Sequence, residues 1–556
     1  MRILLVAINA KYIHSNPAVY SLRSYAERWK DSVDIAEYTI NGTAGEILAD
    51  IYRRKPEVVA FSCYIWNMDM VRKLLSELPK LCPDTKLWLG GPEVSFRAEE
   101  LITEYSQLTG IMVGEGEETF ADLCAFYFEK KGALQDIPGL CLPGELIGSD
   151  RPFSTGERAS LPAEKLPFIY EQTEDFTNRI IYYESQRGCP FRCSYCLSSI
   201  DREVRHKPIA QVKEELAHLL SCRVPQVKFI DRTFNCNHQH ALAVWQYIAE
   251  HDNGATNFHF EIAADLLTEE ELTLLESLRP GLVQLEIGIQ STNTETLRAV
   301  NRVTDIEKVS RNVRRLTEAG NIHVHVDLIA GLPFEDIVSF RRSYDEVFAL
   351  GAEMLQLGFL KVLHGSPIEN DAKKYGIVSQ NTPPYEVLYT NWLTYNDVLE
   401  LKGVEEMTEI YYNSNQYRYT LRQLLKGRSP YAFFEGLSRY CRENGYSVSQ
   451  PSRLRKYEIL RAYALQEELL GEALLNELLT LDLYLRENAK RRPDFAHPLG
   501  EYREMLSVRD GRNMHEDVFV YRILEDEPTK GLPRVLCFDY DSKDALTNNA
   551  AVFWKK

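Results

Sequence analysis

No stretch of about 18 consecutive apolar residues occurs in the 556-residue chain, so no segment reads as a membrane-spanning helix. Met1 to Asn9 hold a short apolar run without a small-residue cleavage site, and they are expected to form a buried strand rather than a signal peptide. Basic charge is not in excess: 64 Lys and Arg stand against 81 Asp and Glu, a net −17. That balance argues against non-specific nucleic-acid binding, which needs clustered cations, and leaves room only for a local basic pocket. Internal repeats and low-complexity tracts are lacking. There is no G-x-G-x-x-G after the first apolar run, which disfavours a dinucleotide site. The 11 cysteines are an odd number in a chain expected to be cytoplasmic, so a disulfide framework is not expected.

What is present is an alternation of strand and helix signals. Apolar runs at 3–8, 33–40, 57–64, 86–90 and 110–114 are separated by helix-period segments at 17–30, 43–55, 67–82 and 96–106, with a last helix at 118–131. Such spacing implies parallel strands covered by helices on both faces, a doubly wound α/β domain over 1–135. Residues 136–178 are rich in Pro and Gly and read as a linker, with a hairpin over 137–147 through Pro143-Gly144. A second alternation over 179–372 has strands at 180–185, 227–231, 258–263, 282–289, 323–330 and 354–362. Its helices are expected at 208–222, 238–251, 268–278, 305–319 and 335–350. Six such units imply a partial barrel with its site at the strand C-terminal ends. Beyond it, 373–556 reads as mostly helical, with helices at 385–400 and 454–489. Two strands follow at 517–524 and 534–540, joined by a loop holding Pro528 and Pro533.

The chemistry concentrates in Gly188-Cys189-Pro190-Phe191-Arg192-Cys193-Ser194-Tyr195-Cys196, a C-x3-C-x2-C run just after the first strand of the second alternation. Three thiolates at this spacing suit one compact soft metal centre. A structural zinc site needs a fourth ligand, and the nearest candidate, His206, follows Cys196 by ten residues.

With this motif on the first strand of a partial (β/α)6 TIM-like barrel, the chain resembles the radical S-adenosylmethionine (SAM) superfamily. The resemblance implies that Cys189, Cys193 and Cys196 hold a [4Fe-4S] cluster whose open iron chelates SAM, with Tyr195 beside adenine. It extends to the later strand ends. Asp231 and Asn235 in Ile230-Asp231-Arg232-Thr233-Phe234-Asn235 are expected to face SAM, with Glu261 on the third strand. Glu286, Gln290 and Ser291 end the fourth, near the ribose. Gly331 and Pro333 belong to a fifth-strand motif whose backbone approaches adenine, an approach that glycine permits.

A doubly wound domain before such a barrel resembles the cobalamin-binding members of the superfamily. The resemblance implies a cobalamin surface built from three loops at strand C-termini: Ser62, Tyr64, Trp66 and Asn67; Gly90, Gly91, Pro92 and Glu93; and Gly114, Glu115 and Gly116. The cobalt-ligating D-x-H-x-x-G of many relatives is missing from the first loop, which supplies Asn9, Lys11, Tyr12 and His14. His14 is a candidate ligand, although a lone His before a helix is more often a loop hydrogen-bonding residue. The C-terminal region resembles a domain of unknown function found in a subset of these enzymes and is expected to help cap the barrel. Its Tyr-rich stretch 405–417 fits packing better than a site.

The expected activity is cobalamin-dependent radical SAM chemistry. The cluster cleaves SAM reductively to a 5′-deoxyadenosyl radical, and methylation of an unactivated centre of a small-molecule or peptide substrate follows. A flavodoxin- or ferredoxin-type protein would supply the electron. Other readings are a cobalamin-dependent cyclase, rearrangement or oxidation without methyl transfer, a cobalamin domain that no longer binds its cofactor, and an iron–sulfur or cobalamin sensor. A methylthiotransferase would need a second cluster on the N-terminal domain. Cys63, Cys82, Cys124 and Cys141 are too dispersed for one, and only Cys63 and Cys141 are placed to approach a site.

Overall fold

The computed structural model describes residues 1–446, 451–489, 491–506, 513–544 and 546–555. The chain divides into two compact units, one of residues 1–263, 300–302 and 360–388, the other of 264–299, 303–359 and 389–556. The boundaries at 135, 178 and 372 read from the sequence stand as a proposed organisation. Among the described residues, no helix is long and apolar enough to cross a membrane.

The first unit begins with a seven-stranded sheet. Its strands are β1 (Ile3–Asn9), β2 (Val33–Thr39), β3 (Val58–Ser62), β4 (Lys86–Gly90), β5 (Leu108–Met112), β6 (Leu140–Leu142) and β7 (Phe153–Ser154), in the order β2-β1-β3-β4-β5-β6-β7. The first five pair in parallel. Every residue of β1 is buried, because Leu4, Val6 and Ile8 enter one core and Ile3, Leu5 and Ala7 the other. The order reverses between β1 and β3, and the crevice at such a switch point is where open α/β sheets take ligands.

The expected linker differs. β6 runs antiparallel to β5 and extends the sheet, Gly144–Ile147 is a 3-10 turn, and the return strand is β7 rather than a hairpin over 137–147. A Cβ on Gly144 would lie 2.0 Å from the Arg151 carbonyl, so the chain folds back there only because the residue is glycine.

Next come β8 (Ile181–Tyr183), the short antiparallel hairpin of β9 (Gln186–Arg187) and β10 (Arg205–His206), β11 (Gln226–Phe229) and β12 (Asn257–Ile262). The second unit supplies β13 (Val283–Gln290), β14 (His323–Ala330) and β15 (Met354–Phe359). In the first unit β11 pairs in parallel with β8 and β12, and in the second β14 pairs in parallel with β13 and β15, six strands of partial-barrel type. Along β13, Leu285, Ile287 and Ile289 are buried while Gln284, Glu286, Gly288 and Gln290 stay partly open, a period of two that separates a helix-covered face from an open one.

The sequence-predicted helices recur with shifted ends. The segment 17–30 divides into a helix at Pro17–Tyr25 and a 3-10 turn at Glu27–Ser32. The segment 385–400 starts extended, with β16 (Val378–Ser379) paired to β17 (Val387–Tyr389). Its helix begins only at Tyr395, where Thr394 and Asp397 form a capping box. The segment 454–489 is two helices, Arg453–Gln466 and Glu472–Arg486. The C-terminal sheet has three strands, β18 (Met514–Tyr521), β19 (Lys530–Lys543) and β20 (Ala550–Trp554). Pro533 lies inside β19 rather than in the loop. It is tolerated because the β18–β19 register is interrupted beside it and β20 pairs only from Leu536 onward.

Candidate functional site

The three cysteines lie on the long excursion between β9 and β10. At its base Arg187 pairs with Arg205 and Gln186 with His206. Gly188 enters the loop at φ +96°, where a Cβ would meet the Glu203 carbonyl at 2.3 Å, so the two limbs close only over glycine. Backbone bonds shape the rest: Cys189 N–H donates to Asp201 O at 3.0 Å, Cys196 N–H to Cys193 O at 3.1 Å and Ser194 N–H to Val300 O at 2.9 Å. Cys189 and Cys193 are buried and Cys196 is half-buried.

Among the described residues, the group of three ligating side chains whose donor atoms all lie within 4.8 Å of one another is Glu286, His325 and Asp327, not the cysteines.

Arg302 was not singled out from the sequence. Its Nη1 lies 3.7 Å from Cys193 Sγ and 3.4 Å from the Tyr195 hydroxyl. Thr233, also missed, brings its hydroxyl to 3.6 Å from Cys189 Sγ.

Two expected SAM residues on the second strand end are spent elsewhere. Asp231 is 1% exposed, and it accepts from Ser185 N–H at 2.9 Å, Gln186 N–H at 3.1 Å and Ser185 Oγ at 2.5 Å. Burial raises its pKa to about 7 against those hydrogen bonds. Asn235 is fully buried and staples Ala263 through both its N–H and its carbonyl. Both side chains hold backbone. Glu261 stays half-buried, with Arg232 3.6 Å away.

In the second unit, Ser291 is also buried and donates to Glu335 at 2.7 Å, so it too is turned inward. Gln290 carries φ +72° at the β13 bulge, and its buried Oε1 has no partner among the described residues. A non-glycine residue is thus held at positive φ with its acceptor unspent. Gly331 has φ +93°, and Pro333 is buried two residues on.

A cavity of about 780 Å³ connects the cysteine loop with the N-terminal sheet. Tyr195 and Cys196 line one side; Ser62, Tyr64 and Trp66, then Gly90 to Glu93, then Gly114 to Gly116 line the other. Its far end runs between sheet and helices past Leu5, Val19, Ala60 and Met112. Gly91 has φ +112°, and a Cβ would come 2.5 Å from the Cys63 carbonyl. The glycines thus present bare backbone along a deep, partly apolar cleft of a volume that suits a cofactor. Tyr64 and Trp66 stack at 4.4 Å, and Trp66 Nε1–H donates to Ile8 O at 3.1 Å.

Several residues expected to face cobalamin are already bonded within the protein. Asn67 is fully buried, donating to Ile8 O and Ser62 O and accepting from Tyr64 N–H. Asn9 donates to His14 O and to Glu37. Lys11 and Tyr12 are exposed and line neither this cavity nor its neighbour. Glu93 is held by the Tyr385 hydroxyl, and its pKa is raised by burial. His14 Nδ1 hydrogen-bonds with the Tyr182 hydroxyl at 2.5 Å, and burial with Lys11 and Lys228 lowers its pKa. It lines a second cavity of about 520 Å³ instead, together with Lys228, Glu261 and the chain at 166–170. The two cavities share Ala18, Tyr64, Trp66, Glu117, Arg187 and Arg232.

A second cluster on the N-terminal domain finds no support in the cysteines. Cys63 and Cys141 are buried in one core, Cys124 in the core on the other face of the sheet. Burial raises the thiols of Cys63 and Cys124 to about 12. The Tyr-rich stretch packs likewise: Tyr411, Tyr417 and Tyr457 are buried ring against ring at 4.9 and 4.5 Å.

Known families match in the same order. Residues 3–124 match the B12 binding domain, 183–347 the Radical SAM superfamily, and 373–540 a protein of unknown function (DUF4080). The 2-(S-pantetheinyl)-carbapenam-3-carboxylate methyltransferase of Streptantibioticus cattleyicolor is 23% identical over 468 residues, covering 75% of this chain and 66% of that protein. The cobalamin-dependent radical SAM methyltransferase TokK of Streptomyces tokunonensis is 24% identical over 352 residues, 58% of this chain and 50% of that one. The chain thus spans between half and two-thirds of the length of these relatives. In fold it is similar to the cobalamin-dependent S-adenosylmethionine radical enzyme OxsB, solved with aqua-cobalamin and S-adenosylmethionine bound. That likeness has 15% identity, a TM-score of 0.60, and coverage of 87% of this chain and 83% of that one.

Proposed function

The chain belongs to the cobalamin-dependent radical SAM enzymes, whose cofactors are a [4Fe-4S] cluster, SAM and cobalamin, and from that premise we propose that it transfers a methyl group to an unactivated centre of a small molecule or peptide. The observation that carries the reading is the single cavity onto which both the cysteine loop and the three glycine-bearing loops open. When bound, these cofactors supply a low-potential electron, a carbon radical able to abstract hydrogen, and a methyl group.

The protein's part is to hold and to exclude. Cys189, Cys193 and Cys196 would hold the cluster, and the half-buried Arg302 guanidinium places positive charge beside the Cys193 thiolate. Gly90, Gly91, Gly114 and Gly116 would let cobalamin rest on backbone. Tyr195, Glu261, Glu286, Gln290, Gly331 and Pro333 are the remaining SAM candidates. His14 is engaged with Tyr182, which favours a cobalt without a histidine ligand. We assign the 520 Å³ cavity to the substrate, because it shares the Tyr64–Trp66 and Arg232 wall and continues to Lys228 and Glu261 on the barrel strands. The electron would come from a flavodoxin- or ferredoxin-type donor.

The test is anaerobic turnover of candidate substrates with methyl-labelled SAM, read by mass spectrometry. Gain of one labelled methyl supports the reading. 5′-Deoxyadenosine with an altered but unmethylated product would replace it with a cobalamin-dependent rearrangement or oxidation.

A further inference from the structure

Glu115 lies in a Gly-Glu-Gly loop that reads as a cofactor contact, yet its carboxylate is already committed. It accepts from Arg205 Nη2 at 2.6 Å and Nη1 at 3.2 Å, from Leu161 N–H at 2.7 Å, and it lies 3.5 Å from Arg187. Glu117 in turn accepts from Arg187 Nη2 at 3.0 Å and from Ser21 Oγ at 3.0 Å. Arg187 and Arg205 are the two residues that face each other across the hairpin closing the cysteine loop. Each also has an anchor of its own. Arg187 grips Glu184 through two bonds of 2.9 and 2.8 Å, and Arg205 donates to Asp201 at 2.6 Å. All four clamp side chains are at most a quarter exposed.

Two arginines side by side repel unless carboxylates stand between them. Glu184 and Asp201 answer each charge from the hairpin's own side, and Glu115 and Glu117 after β5 add carboxylates that tie the hairpin to the N-terminal sheet. Paired, forked hydrogen bonds of this kind fix direction as well as distance. Glu115, Glu117 and Arg187 also form part of the cavity wall between Cys196 and the glycines.

We propose that Glu115, Glu117, Arg187 and Arg205 form a positioning clamp that sets the spacing between the iron–sulfur cluster and cobalamin. The clamp rests on the assignment of the two cofactors to this cavity. Its carboxylates and guanidinium groups are spent on one another, so they act through the loops they hold. Misplacement on the order of 1 Å costs up to about a hundredfold in rate, so spacing is the property such a clamp would protect.

The test is pulsed EPR on reconstituted holoenzyme, measuring the distance distribution between the reduced cluster and cob(II)alamin. The wild type should give one narrow distribution. Glu115→Gln and Arg205→Lys should broaden or shift it while iron and corrin content per chain stay at wild-type values. A merely structural salt bridge would leave the distribution unmoved. Unchanged distributions in both variants would overturn the clamp, as would loss of a bound cofactor in both, since a positioning device leaves binding intact. A wild type that binds no cobalamin would instead overturn the cofactor assignment itself.

Discussion

The two walls of the large cavity are built on opposite principles. On the N-terminal sheet the ligand surface is backbone: Gly90, Gly91, Gly114 and Gly116 line it, while the polar side chains nearby, Asn67, Glu93 and Glu115, are spent on protein partners. On the barrel side the surface is side chain: the Tyr195 phenol and the Cys196 thiol line it, with the Arg302 guanidinium behind them against Cys193 and Tyr195. A flat ligand needs room and a bare floor, whereas a metal cluster needs donor atoms. The same cavity therefore tolerates substitution in different ways on its two walls.

The largest expected effect is on the donor wall. Cys193→Ala should lose the cluster and all SAM cleavage to 5′-deoxyadenosine with an unchanged far-UV circular dichroism spectrum. Cleavage by that variant would refute the cysteine assignment.

On the backbone wall, Gly91→Val should lose cobalamin, seen as the corrin absorption band. It should also lower stability by about 2–3 kcal/mol in denaturant titration, from positive φ and the Cys63 carbonyl together. Gly114→Ala meets no neighbour within 4 Å and carries only the φ +79° strain, so it should cost about 1 kcal/mol. Equal costs at the two glycines would break the comparison.

The clamp adds a pH dependence. Burial raises Glu115, but the Arg205 hydrogen bond, the Arg187 charge and the Leu161 N–H together bring its pKa below the ordinary 4.5. A depressed carboxylate contributes stability above its unfolded pKa and loses it as pH falls through the native one. The stability gap between wild type and Glu115→Gln should therefore be full at neutral pH and close below about pH 4.5. A gap that widened on acidification would contradict the ion pairing.

The smallest effect is expected far from the cavity. The buried Tyr417 hydroxyl has no partner among the described residues, so Tyr417→Phe should change stability by no more than about 0.5 kcal/mol.

What was legible in the sequence follows the same division. Strand runs such as 3–8 and 323–330 were readable because burial on both faces or a period of two leaves a local signature. The cysteine loop was readable because its donors are consecutive. Asp231, Asn235 and Ser291 were read at strand ends without their internal hydrogen bonds, since nothing local tells a carboxylate open to a ligand from one that caps backbone. Arg302 lies 109 residues from Cys193, and only the fold brings them together. Glu115 was read by the glycines around it, while its role is set by Arg187 and Arg205 on a later hairpin. The hairpin at 137–147 failed because Pro143-Gly144 marks a turn without saying which strand returns.

The central claim is that one cavity takes both cofactors on two separable walls. Its most direct test is cofactor stoichiometry on anaerobically reconstituted wild type, Cys193→Ala and Gly91→Val, by iron assay and corrin absorption. The wild type should hold roughly four iron atoms and about one cobalamin per chain. Cys193→Ala should keep the cobalamin and lose the iron, and Gly91→Val should keep the iron and lose the cobalamin. A wild type without a corrin band, or two variants that lose both cofactors together, would contradict the account.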